Sequence, residues 1–134
     1  MADDLFLSVA DLRALIDSSD DAIISKTLDG VITFWNRGAE RIFGWTAAEA
    51  VGRHITLIIP DDRRAEDDEV LARIRRGERV DHFETIRVAR NGHRLNISLT
   101  VSPIRDGTGQ ILGASKIARD VTERRLMEEE RERL

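Results

Sequence analysis

Residues 82–105, HFETIRVARNGHRLNISLTVSPIR, contain the clearest fold signal in the chain. The Asn91-Gly92 pair divides them into two runs, 82–90 and 93–105, and such a pair between β-prone runs is typical of a β-hairpin. The second run alternates strictly between apolar and polar residues, which predicts a strand with one buried face. Its apolar members are Leu95, Ile97, Leu99 and Val101.

Three further strands extend this pattern in both directions. Residues 22–25 and 31–35 are short β-prone runs joined by a turn at Leu28-Asp29-Gly30, so they predict a second hairpin. Residues 110–120 follow the turn at 106–109 and predict the last strand. Hairpins at both ends with helices grouped between them indicate an α+β fold with an antiparallel sheet.

The middle of the chain predicts four short helical pieces. Asn36 is placed to cap the first, which Gly44 ends, and Thr46 with Glu49 predicts a capping box for the second. Residues 55–59 form an apolar third piece before Pro60. The fourth opens near Asp61-Asp62 and runs to about Arg76, with a narrow buried stripe. That stripe consists of Val70, Leu71 and Ile74.

Both ends of the chain predict helices. Residues 5–18 form an amphipathic helix, and if Ser8 caps it together with Asp11, the helix proper starts at Val9. Its apolar surface either docks on its own domain or meets a partner chain. The candidate dimerisation residues are Leu5, Phe6, Val9, Leu12 and Ile16. At the other end, Thr122 is expected to cap a charged helix over residues 123–134. Val121, Met127 and Leu134 give it only a partial apolar seam, so it is either a solvated charged tail or the start of a dimeric coiled coil.

Composition restricts the chemistry. The 134 residues fit one domain, and the absence of cysteine excludes disulfides, thiolate ligands and cysteine nucleophiles. A net charge of −4 gives no indication of nucleic-acid binding. No apolar run approaches the roughly 20 residues of a membrane span. The acidic start of the chain is unlike a signal peptide, so we expect a cytoplasmic location.

Enzymatic sites lack their parts. There is no Gly-rich phosphate loop and no nucleophile elbow in the sequence. Consecutive carboxylates such as Asp67-Asp68 point different ways on a helix, and we expect this pair to be solvated. His54, His82 and His93 are too scattered for a metal site. We therefore predict no catalytic residue and no metal, and a chain that is not an enzyme.

Four segments together resemble the PAS domains of bacterial signalling proteins, and the resemblance covers about residues 8–134. Each segment is weak alone, but all four occur in the family's order and spacing. They are residues 29–36 with 39–45, DGVITFWN and AERIFGW; residues 49–53, EAVGR; residues 83–92, from FET to RNG; and residues 118–125, ARDVTERR.

The resemblance implies a five-stranded antiparallel sheet of order 2-1-5-4-3 with helices on one face. It divides the chain into an N-terminal amphipathic helix (1–19), a PAS core (20–121) and the start of a C-terminal signalling helix or coiled coil (122–134). It also implies a regulatory sensor and homodimerisation module that relays a signal to a C-terminal output domain, expected to be that of a histidine kinase. The relay residues would be Asp120, Val121 and Thr122, with Arg119 or Arg125 as the partner of Asp120.

Cofactor subclasses of the family can be tested one residue at a time. Ile55 lies where the light-oxygen-voltage flavin sensors have their cysteine, so covalent flavin photochemistry is excluded. Coumarate photoreceptors also need a cysteine and are excluded for the same reason. Asp67 lies where the rhizobial haem sensors have their iron-ligating histidine, and a carboxylate offers no imidazole nitrogen. His54 is expected to be a surface or capping residue.

We therefore predict no cofactor. A sensor that binds haem, flavin or a small ligand noncovalently is the alternative. Its pocket would be lined by Ile42, Leu57, Ile58, Leu71, Ile74, Phe83, Thr85, Ile97, Leu99 and Val101, unless these residues simply pack the core.

Overall fold

The computed structural model of the chain describes residues 8–134, and within them it has five strands and five α-helices. The strands are β1 (Ala22–Thr27), β2 (Ile32–Trp35), β3 (Val80–Val88), β4 (Arg94–Arg105) and β5 (Ile111–Asp120). The helices are α1 (Val9–Asp17), α2 (Arg37–Phe43), α3 (Ala47–Ala50), α4 (Arg64–Arg75) and α5 (Thr122–Arg133). Two 3₁₀ turns, Ile55–Ile58 and Asp61–Arg63, lie between α3 and α4.

The strands form one antiparallel sheet of order β2-β1-β5-β4-β3, which confirms the predicted order. β5 is the central strand and pairs with both β1 and β4. Lys116 on β5 lies opposite Ile24 of β1 and Val101 of β4, so it occupies the middle of the sheet. Asp120, at the end of β5, lies opposite Ile97. The last strand therefore runs from the sheet centre directly to the start of α5.

The inner face of the sheet packs against the helices and the 3₁₀ turns. On β4, Ile97, Leu99 and Val101 are buried and Leu95 is half-buried, as the alternation predicts. Trp35 and Phe43 are buried beside each other, with ring centroids 5.8 Å apart. Burial of such residues supplies most of the driving force for folding, at about 25 cal/mol per Å² of apolar surface.

The predicted helix ends are largely confirmed. Ser8 and Asp11 form a capping box at α1, and Thr46 with Glu49 forms one at α3. Asn36 accepts the Ala39 N–H at the start of α2, and Gly44 ends that helix with φ of 79°. Capping therefore fixes where the short helices begin, since each side chain satisfies a backbone N–H that has no partner within the helix.

The long hairpin differs from the prediction at its turn. β3 ends at Val88 and β4 starts at Arg94, so residues 89–93 form the connection. Gly92 has φ of 87° but Asn91 does not have positive φ, whereas a two-residue type I′ turn needs positive φ at both. The Asn-Gly pair therefore marks a longer loop, closed by the Ala89 N–H on the His93 carbonyl (2.9 Å).

Two further details are corrections. Thr122 is the first residue of α5 and does not cap it, because its hydroxyl is used by the preceding strands. The buried residues of α4 are Asp67, Val70 and Ile74, while Leu71 is half-buried. Asp67 is thus part of the interior, contrary to the prediction that the Asp67-Asp68 pair is solvated. Only Asp68 is exposed.

None of the helices between residues 8 and 134 combines the length and the apolarity that a bilayer-spanning segment requires.

Candidate functional site

A charged cluster lies inside the fold, between the inner face of the sheet and α4. The chain has only two lysines among its 21 basic residues, Lys26 and Lys116, and both lysine side chains are 2% exposed. They project from β1 and β5 on the buried face. Asp67 of α4 meets both of them through one oxygen, Oδ1, at 3.5 Å from Lys26 Nζ and 3.1 Å from Lys116 Nζ.

The two lysines share a single carboxylate, and the pKa values reflect this. Burial lowers the pKa of Lys116, repulsion from Lys26 lowers it further, and the attraction of Asp67 offsets only part, so the pKa falls to about 7. Burial alone would raise the pKa of Asp67, but Lys116 and then Lys26 outweigh it and the pKa is lowered. The two shifts are consistent. Asp67 stays ionised because two lysines surround it, whereas the attraction of one carboxylate does not outweigh the burial of Lys116 and its repulsion from Lys26.

Arg87 of β3 adds a third buried cation to the cluster. Its Nη1 donates to the Ile86 carbonyl (2.8 Å) and to Thr85 Oγ1 (3.3 Å), and lies 3.6 Å from Glu66 Oε1. Its Nη2 is buried without a hydrogen-bond partner. Burial lowers the pKa of Arg87, opposed by the attraction of Asp67 and Glu66. The interior thus holds more cationic groups than its carboxylates neutralise.

Glu66 closes the outer side of this cluster. Its carboxylate accepts a hydrogen bond from Thr85 Oγ1 (2.5 Å) and one from Arg63 Nη1 (2.7 Å). Burial would raise the pKa of Glu66, but the hydrogen bonds from Thr85 and Arg63 outweigh it and keep the carboxylate ionised. Glu66 is therefore held by two arginines and a hydroxyl, an arrangement that proteins use to bind carboxylates.

The predicted relay residues come together where β4, β5 and α5 meet. Asp120 Oδ1 accepts from the Thr122 N–H (3.0 Å) and from its hydroxyl (2.6 Å), and Thr122 Oγ1 accepts the Asn96 N–H (2.9 Å). Val121 is buried and its N–H donates to the Asn96 carbonyl (2.8 Å). One threonine hydroxyl thus joins two strands to the exit helix.

The arginines expected beside Asp120 have other partners. Arg119 forms a two-pronged pair with Asp21 at 3.2 Å for each hydrogen bond. Arg125 approaches Glu84 of β3 (3.9 Å), and the neighbouring Arg124 pairs with the same carboxylate. Glu84 lies next to Thr85 on β3, so α5 is tied to the strand that carries the cluster's Thr85 and Arg87.

The predicted pocket residues all contribute to the interior. The buried ones are Ile58, Ile74, Thr85, Ile97, Leu99 and Val101. The half-buried ones are Ile42, Leu57, Leu71 and Phe83. Core packing accounts for most of them, and a role in lining a ligand pocket stays a prediction.

The predicted dimerisation residues are divided. Leu5 and Phe6 lie outside the described residues. Val9 is 84% exposed and Leu12 is exposed, whereas Ile16 is half-buried and its carbonyl accepts from Asn36 Nδ2 (2.9 Å). Leu15, which the sequence reasoning passed over, is 59% exposed.

The residue patterns contained a signal for the cluster that the sequence reasoning missed. Lys26 follows Ala22 and Ile24 at the inward positions of β1, and Lys116 stands between Ala114 and Ala118 at those of β5. A lysine at an inward-facing position of a strand predicts that an acidic side chain lies buried next to it. The signal is stronger here because all other basic residues of the chain are arginines. The strand pattern alone does not predict that Asp67 is the partner, because Asp67 lies on α4.

The haem-type position is part of this cluster. Asp67 is engaged by two lysines and offers no imidazole. His54 is a capping residue, as expected: its ring accepts the Thr56 N–H (3.2 Å) and its Nε2 lies 3.1 Å from the Asp29 carbonyl. The described side chains around Asp67 therefore do not fit a histidine-ligated haem.

The architecture is a five-stranded antiparallel sheet covered by short helices, with a charged helix directly after the last strand. The model of the PAS fold family matches residues 10–121, and the chain belongs to that family.

Curated and solved relatives agree with this family. The chain is 34% identical over 120 residues to the Two-component system protein A of Emericella nidulans, covering 84% of this chain and 17% of that protein. It is 33% identical over 64 residues to the Sensor protein FixL of Bradyrhizobium diazoefficiens, covering 48% of this chain and 13% of that protein. The chain therefore spans only a small part of these relatives.

The crystal structure of the PAS domain of a Colwellia psychrerythraea protein superposes with a TM-score of 0.77 at 28% identity. The match covers 87% of this chain and 99% of that one.

Proposed function

We propose that the chain is the regulatory input module of a two-component signalling protein, acting as a homodimer in the cytoplasm and relaying its state to a C-terminal output domain such as a histidine kinase. The core would span residues 20–121, between the N-terminal helix (1–19) and the exit helix that starts at residue 122. The family and the signalling names of the two curated relatives support this proposal. The module itself is regulatory and performs no catalysis.

The observation that carries the relay is the hydroxyl of Thr122. It connects β4 through Asn96 and β5 through Asp120 at the first residue of α5. A shift between the two strands changes both hydrogen bonds, so the sheet and the helix direction are coupled. Two discrete arrangements of such a joint are what a relay requires.

Homodimerisation would use the apolar residues that the two terminal helices leave in solvent. On α5, Leu126 is 59% and Met127 is 66% exposed, and on α1, Val9 and Leu15 are exposed. Charged helices with a few exposed apolar side chains pair when those side chains meet along one seam. Sedimentation equilibrium of the wild-type chain and of a Leu126→Asp, Met127→Asp variant tests this assignment. A wild-type chain that stays monomeric at high concentration contradicts it.

The relay is tested in a protein in which this module precedes its output domain. Glu123→Pro disfavours the helical backbone conformation of Thr122, because the residue before a proline is restricted to extended conformations, so the variant disturbs the joint while leaving the core intact. We expect output activity to lose its regulation. Glu123→Ala is the matched control and should remain regulated. Output that stays normally regulated in the Pro variant contradicts the proposal.

Binding of a small molecule remains the alternative way to generate the signal, and the under-compensated cations of the interior favour it. An absorption spectrum of the purified chain tests for noncovalent haem or flavin, since either has a characteristic visible band.

A further inference from the structure

Glu66 occupies a binding site that is built for a carboxylate. Its two oxygens are held by Arg63 and by Thr85, and Arg87 lies within 3.6 Å. These three groups belong to two elements: the 3₁₀ turn before α4 supplies Arg63, and β3 supplies Thr85 and Arg87. A convergent pair of guanidinium groups with a hydroxyl is a strong receptor for a planar anion.

Arg87 has a hydrogen-bond donor that the site does not use. Its side chain is 2% exposed, and Nη2 has no hydrogen-bond partner. A buried N–H group without a partner is costly, and a second acceptor near Arg87 would remove that cost. Glu66 provides only a long contact to this guanidinium, 3.6 Å from Nη1, so Nη2 is left without an acceptor.

Two small clefts lie in this region, one bordered by Glu66 itself and the other by its partners Arg63 and Thr85. The first, of about 90 Å³, is bordered by three charged residues, Glu66, Glu69 and Arg73, and by the apolar side chains of Val70, Val80 and Phe83. The other, of about 130 Å³, is bordered by Arg63 and Thr85. Both clefts are small, so a ligand that enters either of them must have a short chain. The apolar wall suits a short aliphatic chain attached to the carboxylate.

We infer that the Arg63–Thr85–Arg87 site binds a short-chain aliphatic monocarboxylate, and that the Glu66 side chain is an internal competitor that the ligand displaces. The ligand's carboxylate takes the place of the Glu66 carboxylate, and its chain lies along Val70 and Phe83. The ligand would be the input of the proposed sensor. Its role as a signal rests on that proposed function, whereas the binding itself does not. Thr85 adjoins Glu84, the partner of Arg124, so displacement occurs one residue from a contact of the exit helix.

Butyrate is the probe, titrated into the 134-residue chain at constant ionic strength. Binding is followed by calorimetry and by the NMR resonance of Arg87 Nε. Glu66→Gln keeps an acceptor for Thr85 but removes the competing charge, and Glu66→Ala empties the site. We expect both variants to bind butyrate about tenfold or more tightly than the wild type, because the apparent affinity rises with the fraction of open site.

Asp68→Ala is the matched control, since it removes one negative charge from an exposed position of the same helix. It should bind butyrate as the wild type does. Arg87→Met in the Glu66→Gln background should abolish binding, and neutral butyramide should not bind.

Three results overturn the inference: equal affinity of the Glu66→Gln and Asp68→Ala variants, binding that survives Arg87→Met, or sulfate binding as tightly as butyrate. None of them touches the relay or the dimer, which are measured separately by regulation of the output domain and by sedimentation.

Discussion

The core beneath the sheet and the exit helix α5 both contain ion pairs, but solvent screens the two sets of charges to very different extents. Lys26, Lys116 and Asp67 lie in the core, where their charges interact strongly and each unpaired charge is expensive. The pairs of Arg124 with Glu84 and with Glu128 lie on the surface, where water and salt screen them. Changes to the interior pairs should therefore affect stability far more than changes to the surface pairs.

The largest expected effect comes from Asp67→Ala. The variant leaves two buried lysines without their shared carboxylate, so we expect a loss of about 3–5 kcal/mol in the free energy of unfolding. Urea denaturation measures it. Asp68→Ala, next to it but exposed, should change stability by less than about 0.5 kcal/mol. Equal effects of the two variants would remove the distinction between interior and surface.

A second experiment concerns the pH dependence that Lys116 creates. Its pKa is about 7 in the folded chain and about 10.4 in the unfolded chain, so between these values the unfolded state binds a proton that the folded state does not. Stability should therefore rise with pH above 7, by up to about 1.4 kcal/mol per pH unit, and this contribution to the slope should vanish below pH 7.

Lys116→Met should remove that slope while keeping the volume of the side chain. Urea denaturation from pH 6 to 9.5 compares the two proteins, and groups common to both cancel. Arg124→Ala should retain the wild-type slope. A Lys116→Met protein with the wild-type pH dependence would show that Lys116 is protonated normally in the fold.

The smallest effect is expected on the helix. Arg124→Ala removes the contact with Glu84 on the surface, and we expect a loss of no more than about 0.5–1 kcal/mol that shrinks as salt is added. Denaturation at 0.05 and 0.5 M NaCl measures it. A loss as large as that of Asp67→Ala, or one insensitive to salt, would place this pair among the structural contacts of the core.

The sequence predicted those parts of the fold whose causes are local. Alternation in residues 93–105 determined the buried face of β4, and the side chains of Ser8, Asn36 and Thr46 determined helix starts, because each acts on its own neighbours. Predicting the strand order in addition required the resemblance to a family. The family pattern also located the Asp120–Thr122 joint, although it did not reveal that Thr122 bonds to Asn96.

The charged cluster could not be predicted in the same way. Whether Asp67 is buried or solvated depends on Lys26 and Lys116, which lie 41 and 49 residues away in the sequence. A helical pattern treats an aspartate as polar, so it placed Leu71 in the core in preference to Asp67. Only the packing of α4 across the sheet brings the carboxylate to the two lysines.

We infer that protonation of Lys116 in the interior weakens the joint with α5, since Lys116 and Asp120 lie on the same strand. Hydrogen exchange of the Asn96 and Val121 amides tests it most directly, because both donate at the joint (2.9 and 2.8 Å). The reference is the Asn36 amide, which bonds to Ile23 away from the joint. Protection factors are compared at pH 6 and pH 8.5.

In the wild type we expect the joint amides to lose several-fold more protection than the Asn36 amide at pH 6, where Lys116 is protonated. In Lys116→Met the difference should disappear. Joint and reference amides that change in parallel in both proteins would contradict the claim, since the interior would then act on stability alone and not on the exit helix.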